Sequence, residues 1–197
     1  MMPNLSQIYD DSFFNEWGCY NESYVASSQV VANILLEQLQ FKSLVDIGCG
    51  CGTYSHFYQQ KGIEVLSLDG VQPAYKNCFP IKITLRDFTV PFENTWGDFD
   101  VALCLEVAEH IEEKFLPQFL ENITQFSNTL ILSAADPFQG GHHHVNEQPK
   151  RYWKKKLQEI GFAYNRKRTG QFLEKFKKVK APHMWMGNNV SVYEKIE

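Results

Sequence analysis

The sequence predicts an α/β fold in three layers, with helices covering both faces of a mostly parallel sheet, and three observations carry that prediction. Short apolar runs alternate with amphipathic runs of helical period, the pattern of repeated βαβ units. Residues 43–52, SLVDIGCGCG, are an apolar run interrupted by an acid and followed by three alternating glycines, which describes a strand entering a tight turn. At 197 residues and 44% hydrophobic, the chain can bury a substantial core.

The elements follow in order. Residues 21–40 place Val30, Val31, Ile34, Leu35 and Leu39 at the spacing of one helical face, which predicts a leading helix. Leu44, Val45 and Ile47 are the β-favouring residues of a first strand at 43–47, and a helix runs from Thr53 to residue 61. Between them, Gly48, Gly50 and Gly52 permit a close ligand approach that side chains would block. Strands are predicted at 64–68, 81–85, 99–104 and 128–133, with a helix at 112–126. Pro149 starts a helix that Gly161 stops after Ile160, and late strands at 162–167 and 189–195 complete the sheet. Internal repeats and low-complexity linkers are absent.

A glycine turn at the carboxyl edge of a first strand lies where nucleotides bind. A dinucleotide fingerprint would read G-x-G-x-x-G, but the spacing here is G-x-G-x-G, residue 53 is Thr, and Asp46 stands two residues before the first glycine. That carboxylate would repel a phosphate and attract a cation, such as the ammonium and sulfonium of S-adenosylmethionine. With Asp46, Gly48, Gly50 and Gly52 in place, the segment resembles motif I of the class I S-adenosylmethionine-dependent methyltransferases. Residues 64–70, EVLSLDG, end in Asp69 and Gly70, with Asp69 23 residues beyond Asp46 and suited to accept from both ribose hydroxyls. Residues 85–88, LRDF, resemble the family's adenine-site motif, which implies Asp87 for the exocyclic amine and Phe88 beside the base. Residues 99–111, FDVALCLEVAEHI, resemble the fourth strand and following turn of a branch reading LEVxEHI, which implies cofactor contacts for Leu105 and His110. The family implies a Rossmann-like three-layer sandwich, a mostly parallel seven-stranded sheet with an antiparallel last strand, and S-adenosyl-L-methionine as cofactor. On this reading 1–197 is a single domain, with 1–40 a lid and leading helix, 41–135 the cofactor-binding half, and 136–197 the acceptor loop and the rest of the sheet.

Residues 133–149, SAADPFQGGHHHVNEQP, follow the fifth strand, whose carboxyl end opens on the cofactor side. The segment resembles a GGxGHVNxQ loop of some bacterial and phage methyltransferases acting on small molecules or sugars. Methyl transfer to a hydroxyl gains from a base, and histidine suits that task near neutral pH. In an extended loop alternate side chains share a side, so His142 and His144 are expected to point together, His143 away, with His144 the favoured base. Exposed loop polarity, or hydrogen-bonded positioning of the acceptor, are the competing readings. Asp136, His142, His144 and Glu147 could supply metal ligands, but consecutive histidines cannot all reach one ion without strain, and no metal is expected. Cys49-x-Cys51 lacks the second pair of a metal site. For His110, binding and packing of the turn both stay open, and Glu106 and Glu109 read as solvated helix-start acids.

Charge is uneven: residues 1–149 hold 6 Lys and Arg against 19 Asp and Glu, and residues 150–197 hold 13 against 4. KRYWKKK at 150–156, RKR at 166–168 and KFKKVK at 175–180 either steer an anionic acceptor or are solvated helix faces. Tyr9, Phe13, Phe14, Trp17, Tyr20 and Tyr24 crowd the N-terminus as a lid or as packing, and His183, Trp185 and Met186 suit a core or pocket wall. Methylation of exocyclic amines in DNA needs an N/D/S-P-P-aromatic turn where this chain has CLEV, and methylation at a cytosine ring carbon needs a Pro-Cys dipeptide that is absent. The five cysteines read as free thiols. No apolar run spans a membrane, and the N-terminus lacks a basic region followed by an apolar core, so a cytoplasmic protein is expected. The functional expectation is O-methylation of a small molecule or saccharide. An RNA-directed methyltransferase, or a non-catalytic cofactor-binding subunit, are the alternatives.

Overall fold

The computed structural model describes residues 5–196. Two short helices, α1 (Leu5–Ile8) and α2 (Asp11–Glu16), precede α3 (Glu22–Leu39). Asp10 caps α2 by accepting from the Ser12 and Phe13 amides, and Asn21 caps α3 by accepting from Tyr24. The predicted apolar face of α3 is buried through Val31, Ile34 and Leu35.

β1 (Ser43–Ile47) has its predicted bounds, and Leu44, Val45 and Ile47 are almost wholly enclosed. The strand is hydrophobic on both faces because it lies inside the sheet with helices above and below. On one side it pairs with β2 (Glu64–Asp69), which pairs with β3 (Ile83–Leu85). On the other it pairs with β4 (Val101–Leu105), which pairs with β5 (Thr129–Ser133), and all four pairings are parallel. β7 (Ser191–Lys195) inserts between β5 and β6 (Phe162–Tyr164), antiparallel to both. The order is therefore β3-β2-β1-β4-β5-β7-β6, the seven-stranded sheet with a reversed last strand that the sequence implied.

The remaining helices are α4 (Thr53–Gln60), α5 (Leu116–Thr124), α6 (Lys150–Glu159), α7 (Arg166–Phe176) and α8 (Trp185–Asn189). Successive strand residues feed opposite layers. Val45 and Ile47 pack with Phe119 of α5 and Leu157 of α6, while Leu44 packs with Leu35 of α3, Tyr58 of α4 and Phe172 of α7.

Several predicted bounds move. The strand expected at 162–167 ends at Tyr164, because the Asn165 side chain accepts from the Arg168 amide and starts α7. α7 went unpredicted although Thr169, Phe172 and Phe176 form its buried face. The strand expected from 81 begins at Ile83, since the Ile81 amide turns back to the Phe79 carbonyl. The helix expected at 112–126 splits into a 3-10 turn at Glu113–Phe115 and α5, whose second residue is Pro117. Pro149 is the N-cap of α6 rather than its first helical residue, and the strand expected from 189 starts at Ser191 because α8 occupies 185–189. No described helix is long and apolar enough to cross a membrane.

Candidate active site

The carboxyl ends of the parallel strands open on a cavity of about 600 Å³, the region where open α/β sheets bind ligands. The turn after β1 forms its floor. Gly48 sits at φ 70°, its amide donates to the Leu68 carbonyl at 2.8 Å, and a Cβ there would lie 2.3 Å from Val107 Cγ2. Only glycine meets both constraints. The Gly50 amide donates to Asp69 Oδ2 at 2.8 Å, and nothing stands within 4 Å of where a Cβ of Gly50 would be. Gly52, expected at the cofactor, is not among the cavity residues. It caps α4 at φ 81°, and a Cβ there would lie 2.2 Å from Ile81 Cδ1.

Two buried acids flank the turn. Asp46 is 4% exposed, and its Oδ2 accepts from the Ser55 hydroxyl at 2.6 Å, which in turn accepts from Ser67 at 2.7 Å. Burial pushes the Asp46 carboxyl up to about 6. Asp69 accepts from Gly50 through Oδ2 and from the Val71 amide through Oδ1 at 2.8 Å, and burial raises it too. Gly70 lines the cavity beside it. Asp87 and Phe88 line the next sector: Asp87 Oδ1 accepts from the Thr89 amide and hydroxyl at 2.8 and 2.6 Å, and the Phe88 ring is buried against Phe92. Leu105 enters the wall from the end of β4. Among the described residues, no lysine or arginine lines the cavity. An acid-walled cavity over a glycine cradle suits a cationic ligand such as S-adenosylmethionine, which fits these residues.

The turn after β4 corrects the sequence reading of its acids. Glu106 adopts φ 54°, and Glu109, read as solvated, is fully buried. Glu109 Oε1 accepts from the Ala135 amide at 3.2 Å, its backbone carbonyl accepts from Val145 and Asn146, and its Oε2 has no partner. Burial, and then the nearby Glu106 charge, hold the Glu109 carboxyl well above the usual range. His110 Nδ1 lies 3.2 Å from the His143 carbonyl, to which it donates, and burial lowers its pKa to about 4.

The histidine loop is a turn rather than an extended segment. Gly140, Gly141 and His143 all have positive φ, at 70°, 158° and 55°, so strict alternation fails. All three histidines line the cavity, including His143, which was expected to point away. His144 Nδ1 pairs with Glu147 Oε1 at 2.9 Å, and its ring stands edge-on to His110 with centroids 4.9 Å apart. Glu147 also accepts from the Phe138 and Gly140 amides, and above all the His144 hydrogen bond holds its carboxyl below the usual range. His142 instead sends Nε2 to the Ile8 carbonyl and packs against Phe13. Glu109, His110 and His144 bring one donor atom each within 4.8 Å of one another, a set different from the Asp136, His142, His144 and Glu147 considered from the sequence.

The N-terminal aromatics close the cavity on another side. Tyr9, Phe13, Phe14, Trp17 and Tyr24 line it, whereas Tyr20 is 72% exposed. Trp185 and Met186 join this wall, with the Tyr54 hydroxyl 2.8 Å from Met186 Sδ; His183 packs behind, against Trp17 and Trp185.

Fold and site together resemble those of a class I S-adenosylmethionine-dependent methyltransferase: a reversed last strand, a glycine turn after β1, an acid ending β2, and a cavity above them. Residues 45–126 match the family model described as a methyltransferase domain. An ubiquinone biosynthesis O-methyltransferase of Rickettsia canadensis (strain McKiel) is 31% identical over 88 residues, which span 42% of this chain and 36% of that protein. The match therefore covers only about a third of the curated relative's length. Among solved structures, the Burkholderia thailandensis 1,6-didemethyltoxoflavin-N1-methyltransferase has a TM-score of 0.64 at 14% identity, over 100% of this chain and 93% of that one. The magnesium protoporphyrin IX methyltransferase of Synechocystis PCC 6803, solved with bound S-adenosylhomocysteine, has a TM-score of 0.62 at 16% identity over 98% of each chain. The chain therefore shares the fold of these methyltransferases, with a methyltransferase-domain match over residues 45–126.

Proposed function

We propose that this chain transfers the methyl group of S-adenosylmethionine to a hydroxyl oxygen of a small-molecule acceptor. The observation that carries the reading is the His144–Glu147 pair. With Nδ1 held on a carboxylate at 2.9 Å, the imidazole carries its proton there and keeps the Nε2 lone pair for another partner. His144 also shares one cavity with Asp46, Gly50 and Asp69. The O-methyltransferase relatives support oxygen as the atom methylated. Aromatic walls from Tyr9, Phe13 and Trp17, without a lysine or arginine among the cavity residues described, favour an uncharged acceptor with apolar surface over an anionic one or RNA.

The bound cofactor supplies a methyl group already activated on a sulfonium. Asp46 attracts the cationic methionine end, Asp69 accepts from the ribose hydroxyls, and Asp87 with Phe88 serves the adenine. The acceptor oxygen forms the new C–O bond as the C–S bond breaks towards sulfur. His144 takes the hydroxyl proton, Glu147 stabilises the imidazolium, and the proton then passes to water. His142 is left out of the proton transfer because its Nε2 is engaged by a carbonyl.

A methyl-labelled cofactor with a panel of phenolic, catecholic and sugar hydroxyl acceptors tests this. The expected result is turnover of one class, reduced about 10²–10⁴-fold by His144→Gln with S-adenosylhomocysteine affinity retained. Full activity in that variant would remove the base. Cofactor binding with no turnover of any acceptor would favour a non-catalytic subunit.

A further inference from the structure

We propose that Cys51 and Cys78 are a reversible disulfide pair through which a peroxide weakens cofactor binding. All five cysteines are free thiols, and three of them, Cys19, Cys51 and Cys78, come from separate segments to one place beside the turn after β1. The effect on binding rests on the cofactor reading of the cavity, whereas the bridge itself does not.

The contacts single out the pair. Cys51 is 2% exposed, lines the cavity, and packs with Phe14 and Val71 in a small cluster that the half-buried Cys78 joins. The Cys51 S–H donates to the Cys78 sulfur, and the Phe79 amide donates to the Cys51 carbonyl at 2.9 Å. Sulfurs in contact, on backbones held side by side, need only a small movement to reach the S–S bond length of about 2.05 Å. A Cβ at Gly18 would lie 3.4 Å from Cys51 Sγ and 2.8 Å from the Asn77 carbonyl oxygen, so the chain leading to Cys19 passes directly over Cys51. The Cys19 sulfur itself turns to the Lys76 carbonyl at 3.8 Å.

The segment carrying Cys78 is free to shift. Between β2 and β3 stands only a 3-10 turn, Tyr75–Asn77, in place of a crossover helix. Asn77 is 1% exposed, yet both polar atoms of its side chain lack a partner. Such groups cost stability where they lie, so repacking of the turn loses no hydrogen bond from that side chain. On the other side, Cys51 follows Gly50, whose amide holds Asp69 Oδ2, and it packs with Val71, whose amide holds Oδ1. Drawing Cys51 towards Cys78 therefore disturbs both donors to the acid expected at the ribose.

Burial raises both thiols, and the Cys51 hydrogen bond acts against that rise at Cys78. Cys78, the less enclosed sulfur, is thus the one that reacts first, and slowly, under sustained peroxide. Its thiolate attacks one peroxide oxygen, the O–O bond breaks, and one water leaves a sulfenic acid behind. The Cys51 sulfur displaces the sulfenic oxygen as a second water and the S–S bond forms. The two electrons that the sulfurs lose reduce the peroxide, and the four hydrogens of two thiols and one hydrogen peroxide leave in the two waters. Exchange with a dithiol restores both thiols.

Full-length protein treated with hydrogen peroxide, digested without reductant and read by mass spectrometry, tests the pair alongside calorimetry with S-adenosylhomocysteine before and after treatment. The expected result is a linked Cys51–Cys78 peptide, loss of most of the S-adenosylhomocysteine affinity, and recovery of both thiols and affinity with dithiothreitol. Cys78→Ser and Cys78→Ala should bind S-adenosylhomocysteine as untreated wild type does and keep that affinity through the treatment, while Cys19→Ser should still form the bridge and lose affinity. Absence of the Cys51–Cys78 peptide, or a bridge made through Cys19 instead, overturns the proposal and leaves the methyltransferase reading standing. A bridge that leaves affinity unaltered, or an affinity loss that persists in both Cys78 variants, overturns it as well. Reduced wild type that binds no S-adenosylhomocysteine overturns the cofactor reading, and the proposed control of binding with it, even where the bridge forms.

Discussion

Burial holds the Asp46 carboxylate in a state that costs the fold stability. Its carboxyl rises from 3.8 to about 6 through burial, a difference of about 3 kcal/mol between its protonation states. The folded pKa lies above the unfolded one, so its contribution to stability is full below about pH 3.8 and is lost as pH rises through about 6. Asp46→Asn should therefore melt higher than wild type at about pH 7.5, with the gap closing towards pH 4, while binding S-adenosylhomocysteine more weakly. Equal melts at both pH values would show that the buried charge carries no such cost. The wild-type affinity should itself fall about tenfold per unit as pH drops below about 6, and calorimetry across that range reads it directly. Gly48→Ala forces a Cβ against Val107 at φ 70°, and a loss of about 1–3 kcal/mol is expected in denaturant melts. Some residue-scale facts were legible beforehand: Asp46, Gly48 and Gly50 stand together because the motif is local. The histidine directions were not, since a positive φ at His143 cannot be read from HHH. Nor was Glu109, because an acid after a strand reads as solvated until β5 and the loop beyond it cover it.

At the scale of elements, the parallel strands were visible because each is a short β-favouring run between turn residues, and β1 matches to the residue. The C-terminal third was harder. RKRTGQFLEKF has an internal glycine and its charges dominate the pattern, so the buried stripe of Thr169, Phe172 and Phe176 was masked and α7 was missed. Asn165 decides that boundary. Its side chain accepts from the Arg168 amide and donates to Glu194 Oε2 at 2.8 Å, tying the start of α7 to β7. Asn165→Ala should cost about 1–2 kcal/mol, which for a chain of this size lowers the melting temperature by about 2–4 °C per kcal/mol. An unchanged melt would mean that the ladder between β6 and β7 sets the end of the strand without the cap.

Over the whole molecule, the basic residues of the C-terminal part lie away from the cavity lining, and some of them meet surface acids. Lys175 meets Glu37 at 2.8 Å, and Arg168 meets Glu194 at 2.9 Å. Acceptor KM should therefore change little as salt rises from about 50 to 200 mM, whereas a polyanionic acceptor held by 6–10 phosphate contacts would lose about 10³–10⁵ in affinity. Steady-state assays at several salt concentrations distinguish the two. One of the hydrogen bonds between distant parts of the chain runs from His142 after β5 to the Ile8 carbonyl at the end of α1. It ties the N-terminal segment on one side of the cavity to the loop expected to hold the acceptor on the other. An acceptor seated beneath that tie would close the way to the cofactor, so the expected order is cofactor first and spent cofactor last, with S-adenosylhomocysteine competing against S-adenosylmethionine alone in product-inhibition assays.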